Sequence, residues 1–145
     1  MKKTVWIIEI LAGPLALLFL YTALSKLVDL RHFVRAINNQ PFDNRYTEVL
    51  VIALPAAEIL AGLLLLVPRL RLAGFAMSAI LMLAFTGYVA LVTFHFYERV
   101  PCACAGVFDQ LTWLQHLIFN AVFLVGSLIG LFLQVRFGKS RKPDV

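Results

Sequence analysis

Charge is what this chain most lacks. Asp, Glu, Lys and Arg make up 14% of its 145 residues, against 61% for the hydrophobic types, and the mean hydropathy is +0.87. An ordinary soluble domain is about 45–50% apolar, so this composition excludes a disordered chain and argues against a water-soluble globule. Alternating polarity is missing too, which excludes an all-β membrane barrel. No internal repeat, low-complexity tract or second domain interrupts the chain, and the expectation is one membrane domain over residues 1–145. Each membrane helix consumes about 20 residues, so at most four or five spans fit.

The few charges leave four gaps. Val5 to Ser25 contains only Glu9, Val49 to Val67 contains only Glu58, and Leu72 to Phe96 and Leu111 to Val135 contain no Asp, Glu, Lys or Arg. At about 1.5 Å per helical residue each can cross a hydrocarbon core about 30 Å thick. The fold class expected is all-α: a polytopic membrane protein forming a four-helix bundle, with spans near 5–25, 49–67, 72–96 and 111–135. A cleaved signal peptide ending near Ala23 fits poorly, because the apolar stretch exceeds an h-region of about 7–15 residues and Tyr21 stands where a small residue belongs. It is read as the first span.

Four helices put both termini on one side. That side carries Lys2, Lys3, Arg69, Arg71, Arg136, Lys139, Arg141 and Lys142; the other carries Lys26, Arg31, Arg35, Arg45 and Arg99, matched by Asp29, Asp43, Glu48, Glu98 and Asp109. The excess of basic residues predicts that both termini are cytoplasmic, with the inverted topology as the alternative. Between the first two spans, Asp29 reads as an N-cap, with Leu30, Phe33, Val34 and Ile37 on one face opposite Arg31 and Arg35. This suits a short helix in the interface plane, ended by Asn38, Asn39 and Pro41. A solvated amphipathic loop is the plainer alternative. Glu9, about one turn from the cytoplasmic face, is expected to snorkel and is given no role.

The only two cysteines, Cys102 and Cys104, sit two apart in the outer loop Pro101-Cys102-Ala103-Cys104-Ala105-Gly106. On an oxidising face such as the bacterial periplasm, a vicinal pair forms and keeps a disulfide. Bridging residues so close demands a bent backbone, which raises the reduction potential and marks the bond as labile. Closing so small a loop also removes little chain entropy, so a purely stabilising bridge is weakly motivated. Inert packing cysteines are the plainer reading.

Polar residues inside the apolar runs supply a second signal. Trp113, His116, Asn120 and Ser127 fall on one helical stripe. Glu58 lies about 14 Å below the outer end of its span, with Asn120 and Tyr88 at similar depth, and Tyr21, Thr22 and Lys26 crown the first span, Lys26 able to snorkel outward. Faces turned inward would make a polar pocket beneath the cysteine loop. Burying a carboxyl in the membrane is costly, so Glu58 reads as functional. The duller readings remain open: His116 as a hydrogen-bonded interface residue, Asn120 and Ser127 as helix glue.

Three segments together resemble the MauE/DoxX group of small redox-associated bacterial membrane proteins: Tyr21-Thr22-Ala23-Leu24-Ser25-Lys26-Leu27, Pro55-Ala56-Ala57-Glu58-Ile59-Leu60, and the Pro101 to Gly106 loop followed by Leu111 to Asn120. Ala23 and Ala105 depart from glycines common in that group. The resemblance implies a multi-pass protein of the bacterial inner membrane, connected with periplasmic thiol or quinone chemistry. On that expectation Cys102 and Cys104 exchange electrons between periplasmic thiols and a membrane carrier, a quinone. His116 moves the proton, and Lys26, Glu58, Tyr88, Trp113 and Asn120 line the carrier pocket. A single cysteine pair must perform both exchanges or borrow a second pair from a thioredoxin-like partner. Besides lipid, a larger membrane complex is a further possible partner; nucleic acid is not expected. Two other classes compete. Cys102 and Cys104 with His95 or His116 offer ligands for Cu(I) or Zn, and a non-catalytic subunit would simply anchor a complex.

Overall fold

In a computed structural model the chain is helical throughout its described residues, 2–39, 43–94 and 112–138. Helix α1 is Lys2–Val28, α2 Leu30–Asn38, α3 Thr47–Leu66, α4 Arg71–Thr93 and α5 Trp113–Phe137, with single 3₁₀ turns at Asn44–Tyr46 and Pro68–Leu70. The four long helices are each long and apolar enough to cross a membrane. The protein is a multi-pass membrane protein, with the short α2 between the first two spans.

The long helices form a ring in which α1 packs on α3 and α5, and α4 packs on the same two neighbours. The core joins Ile8, Ala12, Leu15 and Phe19 of α1 to Ala61 and Leu65 of α3 and to Phe75 and Met82 of α4. Small residues set the approach distances, as they do between membrane helices. A Cβ at Gly62 would meet the Leu20 side chain at 2.7 Å and the Ala16 carbonyl oxygen at 3.3 Å, so α3 lies close against α1 only because that carbon is absent. Gly130 of α5 likewise leaves room for the Phe75 ring of α4. Outward, Leu17, Ile52, Ile80 and Val122 are widely exposed, one on each long helix. In water such all-round apolar exposure would be an aggregation liability; in a bilayer it is the lipid contact.

The stripe that α2 buries is not the full apolar face read from sequence. Phe33, Ala36 and Ile37 are buried against α1 and α3, whereas Leu30 stays 45% exposed. The reason lies in how the helices end. Lys26 stands in the last turn of α1, while Glu58, which it meets, lies about 16 Å along α3 from Thr47. Helix α3 therefore rises past the end of α1, and α2 fills the step, resting on protein. Asn38 and Asn39 do end α2; Pro41 lies outside the described residues.

Candidate functional site

Lys26 and Glu58 face each other because each falls on its helix's buried stripe. On α1 the stripe runs Ala12, Ala16, Phe19, Ala23, Lys26; on α3 it runs Pro55, Glu58, Gly62, Leu65. Both spacings alternate three and four residues, which keeps one face of a helix inward. The Lys26 ammonium donates to both Glu58 carboxylate oxygens, Oε1 at 2.8 Å and Oε2 at 3.0 Å. Glu58 is 1% exposed and Lys26 8%. Lys26 thus does not snorkel outward as expected: a carboxylate two strong hydrogen bonds away outcompetes the interface, and leaving Glu58 alone in the bundle would cost far more. The Thr22 hydroxyl, which donates to the Phe19 carbonyl at 3.2 Å, adjoins the same carboxylate. Above, the Phe33 ring of α2 is fully buried, its centroid 5.9 Å from the ammonium nitrogen.

Helix α5 presents its own polar stripe inward. His116, Asn120 and Ser127 are all buried. Ser127 spends its hydroxyl on the Phe123 carbonyl one turn back at 2.8 Å, which is the helix-internal reading of that residue. A capping box sets the start of α5: the Thr112 hydroxyl accepts from the Gln115 backbone N–H at 3.3 Å, and the Gln115 side chain accepts from the Thr112 N–H at 3.1 Å. This reciprocal cap fixes where the connection between α4 and α5 ends and the helix begins, and places His116 in the first turn. Tyr88 is half-buried near the C-terminal end of α4.

Not all of these come together. Glu58 is joined to Lys26 on α1, whereas His116 and Asn120 belong to α5, which stands at the opposite corner of the ring from α3. Helices α1 and α4 each pack against both α3 and α5. Cys102, Cys104 and His95 lie outside the described residues, as does the Trp113 side chain, although Trp113 opens α5. Among the described residues, no three His, Cys, Asp or Glu side chains gather as a metal site.

A second ion pair was not foreseen. Arg71, at the start of α4, is 7% exposed and pairs with Glu9 of α1 at 2.7 Å. Glu9 is therefore a partner rather than a snorkelling residue, because the α3–α4 turn delivers a guanidinium to it. Its signal in the sequence was one acidic residue in a span facing a basic residue at the same membrane depth.

With this geometry in view, comparison with known proteins is informative. The profile of the family described as methylamine utilisation protein MauE matches residues 4–133. The chain belongs to the MauE family. That match takes in nearly all of the four long helices, the Lys26–Glu58 and Glu9–Arg71 pairs and the connection that carries Cys102 and Cys104. No curated protein and no solved structure matches the chain.

Proposed function

We propose that this MauE-family protein passes electrons between thiols outside the membrane and a quinone within it, through Cys102 and Cys104. The observation that carries the reading is the position of the pair: the only two cysteines, two residues apart, stand in the connection between α4 and α5, shortly before a helix whose first turn buries His116. In one exchange a partner's dithiol is oxidised to its disulfide while the Cys102–Cys104 disulfide becomes two thiols. In the other, those thiols lose two electrons and two protons and re-form their disulfide. A quinone supplies the matching two-electron, two-proton acceptor.

The residues suit such a carrier. Its carbonyl oxygens accept hydrogen bonds, and His116 and Asn120 are buried N–H donors on one face of α5. On this reading His116, in the first turn after the cysteine connection, holds or passes the proton. On this reading both termini are cytoplasmic and the cysteine loop is periplasmic in a bacterial inner membrane, where a thioredoxin-like protein serves as the thiol partner.

The test uses the purified protein with its cysteines first reduced. Adding quinone should consume both thiols, read by maleimide gel shift, and produce quinol in equal amount, read by absorbance. A thiol content that neither quinone nor quinol changes rejects the reading. The alternative reading is a structural membrane subunit of a larger complex; replacing both cysteines would then leave function intact.

A further inference from the structure

Helix α2 is fastened at both ends. The Asp29 carboxylate accepts from the His32 backbone N–H at 3.1 Å, capping its start, and the Thr47 hydroxyl donates to the Asn38 side-chain oxygen at 2.7 Å, tying its last residue to the first of α3. Between these ties, Phe33, Ala36 and Ile37 are buried, and Arg31, His32 and Arg35 face outward. Phe33 is 0% exposed although it belongs to a helix of only nine residues. The Lys26 ammonium lies over its ring and is held by both oxygens of Glu58.

These contacts form a stack: aromatic face, ammonium, carboxylate. A cation gains from the ring face above it only while it stays there, and the bidentate carboxylate is what keeps it there. Without Glu58's charge, the ammonium would be buried with no counter-charge, and its long apolar stem would let it swing toward the outer interface. Phe33, fully buried with the ammonium over its ring, would have to move with it. Without Lys26's charge, the carboxylate would draw water inward along the same route.

We propose that α2 is a roof latched by the Lys26–Glu58 ion pair, closing the outer approach to the buried pair while the pair is intact and lifting when it is broken. The ties at Asp29 and at Asn38 with Thr47 keep the motion local, so that Phe33, Ala36 and Ile37 leave their seats while the bundle below stays packed. This inference stands on the geometry of the stack alone and involves no electron transfer.

The experiment measures thiol accessibility in the full-length protein in detergent, with Cys102→Ser and Cys104→Ser removing the native thiols. Ala36→Cys reports on the seat of α2, and Ser127→Cys, in a separate variant, reports on the bundle interior. A membrane-impermeant maleimide should label Ala36→Cys slowly when Lys26 and Glu58 are present. Glu58→Gln or Lys26→Gln should each accelerate that labelling about tenfold or more, a local opening, while Ser127→Cys stays protected. Exchanging the partners, Lys26→Glu with Glu58→Lys, should return the slow rate. Equal rates with and without the pair overturn the proposal. So does simultaneous exposure of Ser127→Cys, which would mean that the pair holds the whole bundle, and so does an exchanged pair that labels as fast as the single variants, which would assign the effect to side-chain packing.

Discussion

Arg71 holds Glu9 in a two-pronged ion pair, Nη1 to Oε1 at 2.7 Å and Nη2 to Oε2 at 2.9 Å, while its Nε donates to the Leu65 carbonyl at 3.0 Å. The guanidinium thereby joins α1, the end of α3 and the start of α4 at one side of the bundle. Lys26 and Glu58 join α1 to α3 at the other. Glu9 and Lys26 are about 26 Å apart along α1, close to the thickness of a hydrocarbon core of about 30 Å. The first span is thus pinned by an ion pair near each of its ends, and its apolar middle carries the packing.

Removing Glu9 should expose the asymmetry of that clasp. Arg71 is buried and Glu9's side chain is half-exposed, so Glu9→Ala leaves a sheltered guanidinium without its acceptor. The expected loss is about 1–3 kcal/mol, whereas Glu9→Gln, which keeps one acceptor oxygen, should lose less. Thermal unfolding in detergent ranks the two variants, and a Glu9→Ala protein that melts with the parent would contradict a stabilising clasp.

Which of these contacts were legible beforehand depended on how local their signals are. The four spans follow from continuous apolar runs, and the inward stripe of His116, Asn120 and Ser127 follows from helical spacing within one segment. Partnerships between spans do not. Lys26 and Glu58 are 32 residues apart, and Arg71 and Glu9 are 62 apart. A lysine at the end of a span looks the same in sequence whether it reaches outward or folds onto a carboxylate. The alternation Ala16, Phe19, Ala23, Lys26 held the answer, because it puts Lys26 on the stripe of small and aromatic residues that faces α3. The stripe of α2 was legible only in part, since its burial depends on the step left where α3 outreaches α1.

Breaking the Lys26–Glu58 pair from either side should cost more than removing it altogether. Lys26→Met leaves Glu58 buried and uncompensated, and Glu58→Leu does the same to Lys26; each should destabilise by about 3–5 kcal/mol. The double variant leaves neither charge and should recover much of that loss. Melting of the four proteins completes a double-mutant cycle. If the double variant is no more stable than the worse single, the two residues do not act as a pair. A double variant that recovers stability yet fails in thiol–quinone exchange would give the pair a role beyond holding α1 to α3.

The orientation of the bundle has its own check. The side bearing the termini carries the larger share of Lys and Arg, which predicts that Cys102 and Cys104 face outward. A membrane-impermeant thiol reagent added to intact spheroplasts after mild reduction should label both. Labelling that requires permeabilised membranes would put the loop in a reducing compartment, where a standing disulfide is not maintained, and would remove the basis of the exchange.

The cysteine connection yields the sharpest test, because Cys102 and Cys104 are the only thiols in the chain. Exchange with a partner passes through a mixed disulfide, which is resolved when a second thiolate attacks one of its sulfurs. Here the only internal candidate for that attack is the neighbour two residues away. Replacing one cysteine should therefore do more than stop turnover. The remaining thiolate should still attack the disulfide of an oxidised partner, releasing one partner thiolate, and the adduct should persist because the chain's second, resolving thiolate is gone. Non-reducing electrophoresis of cells carrying Cys102→Ala or Cys104→Ala should show a larger band that collapses to the monomer on reduction. The variant that accumulates it retains the sulfur that meets the partner, so the comparison assigns the two roles. If neither variant forms an adduct and the double variant supports full function, electron exchange through this pair is ruled out and the chain acts as a membrane subunit whose work is structural.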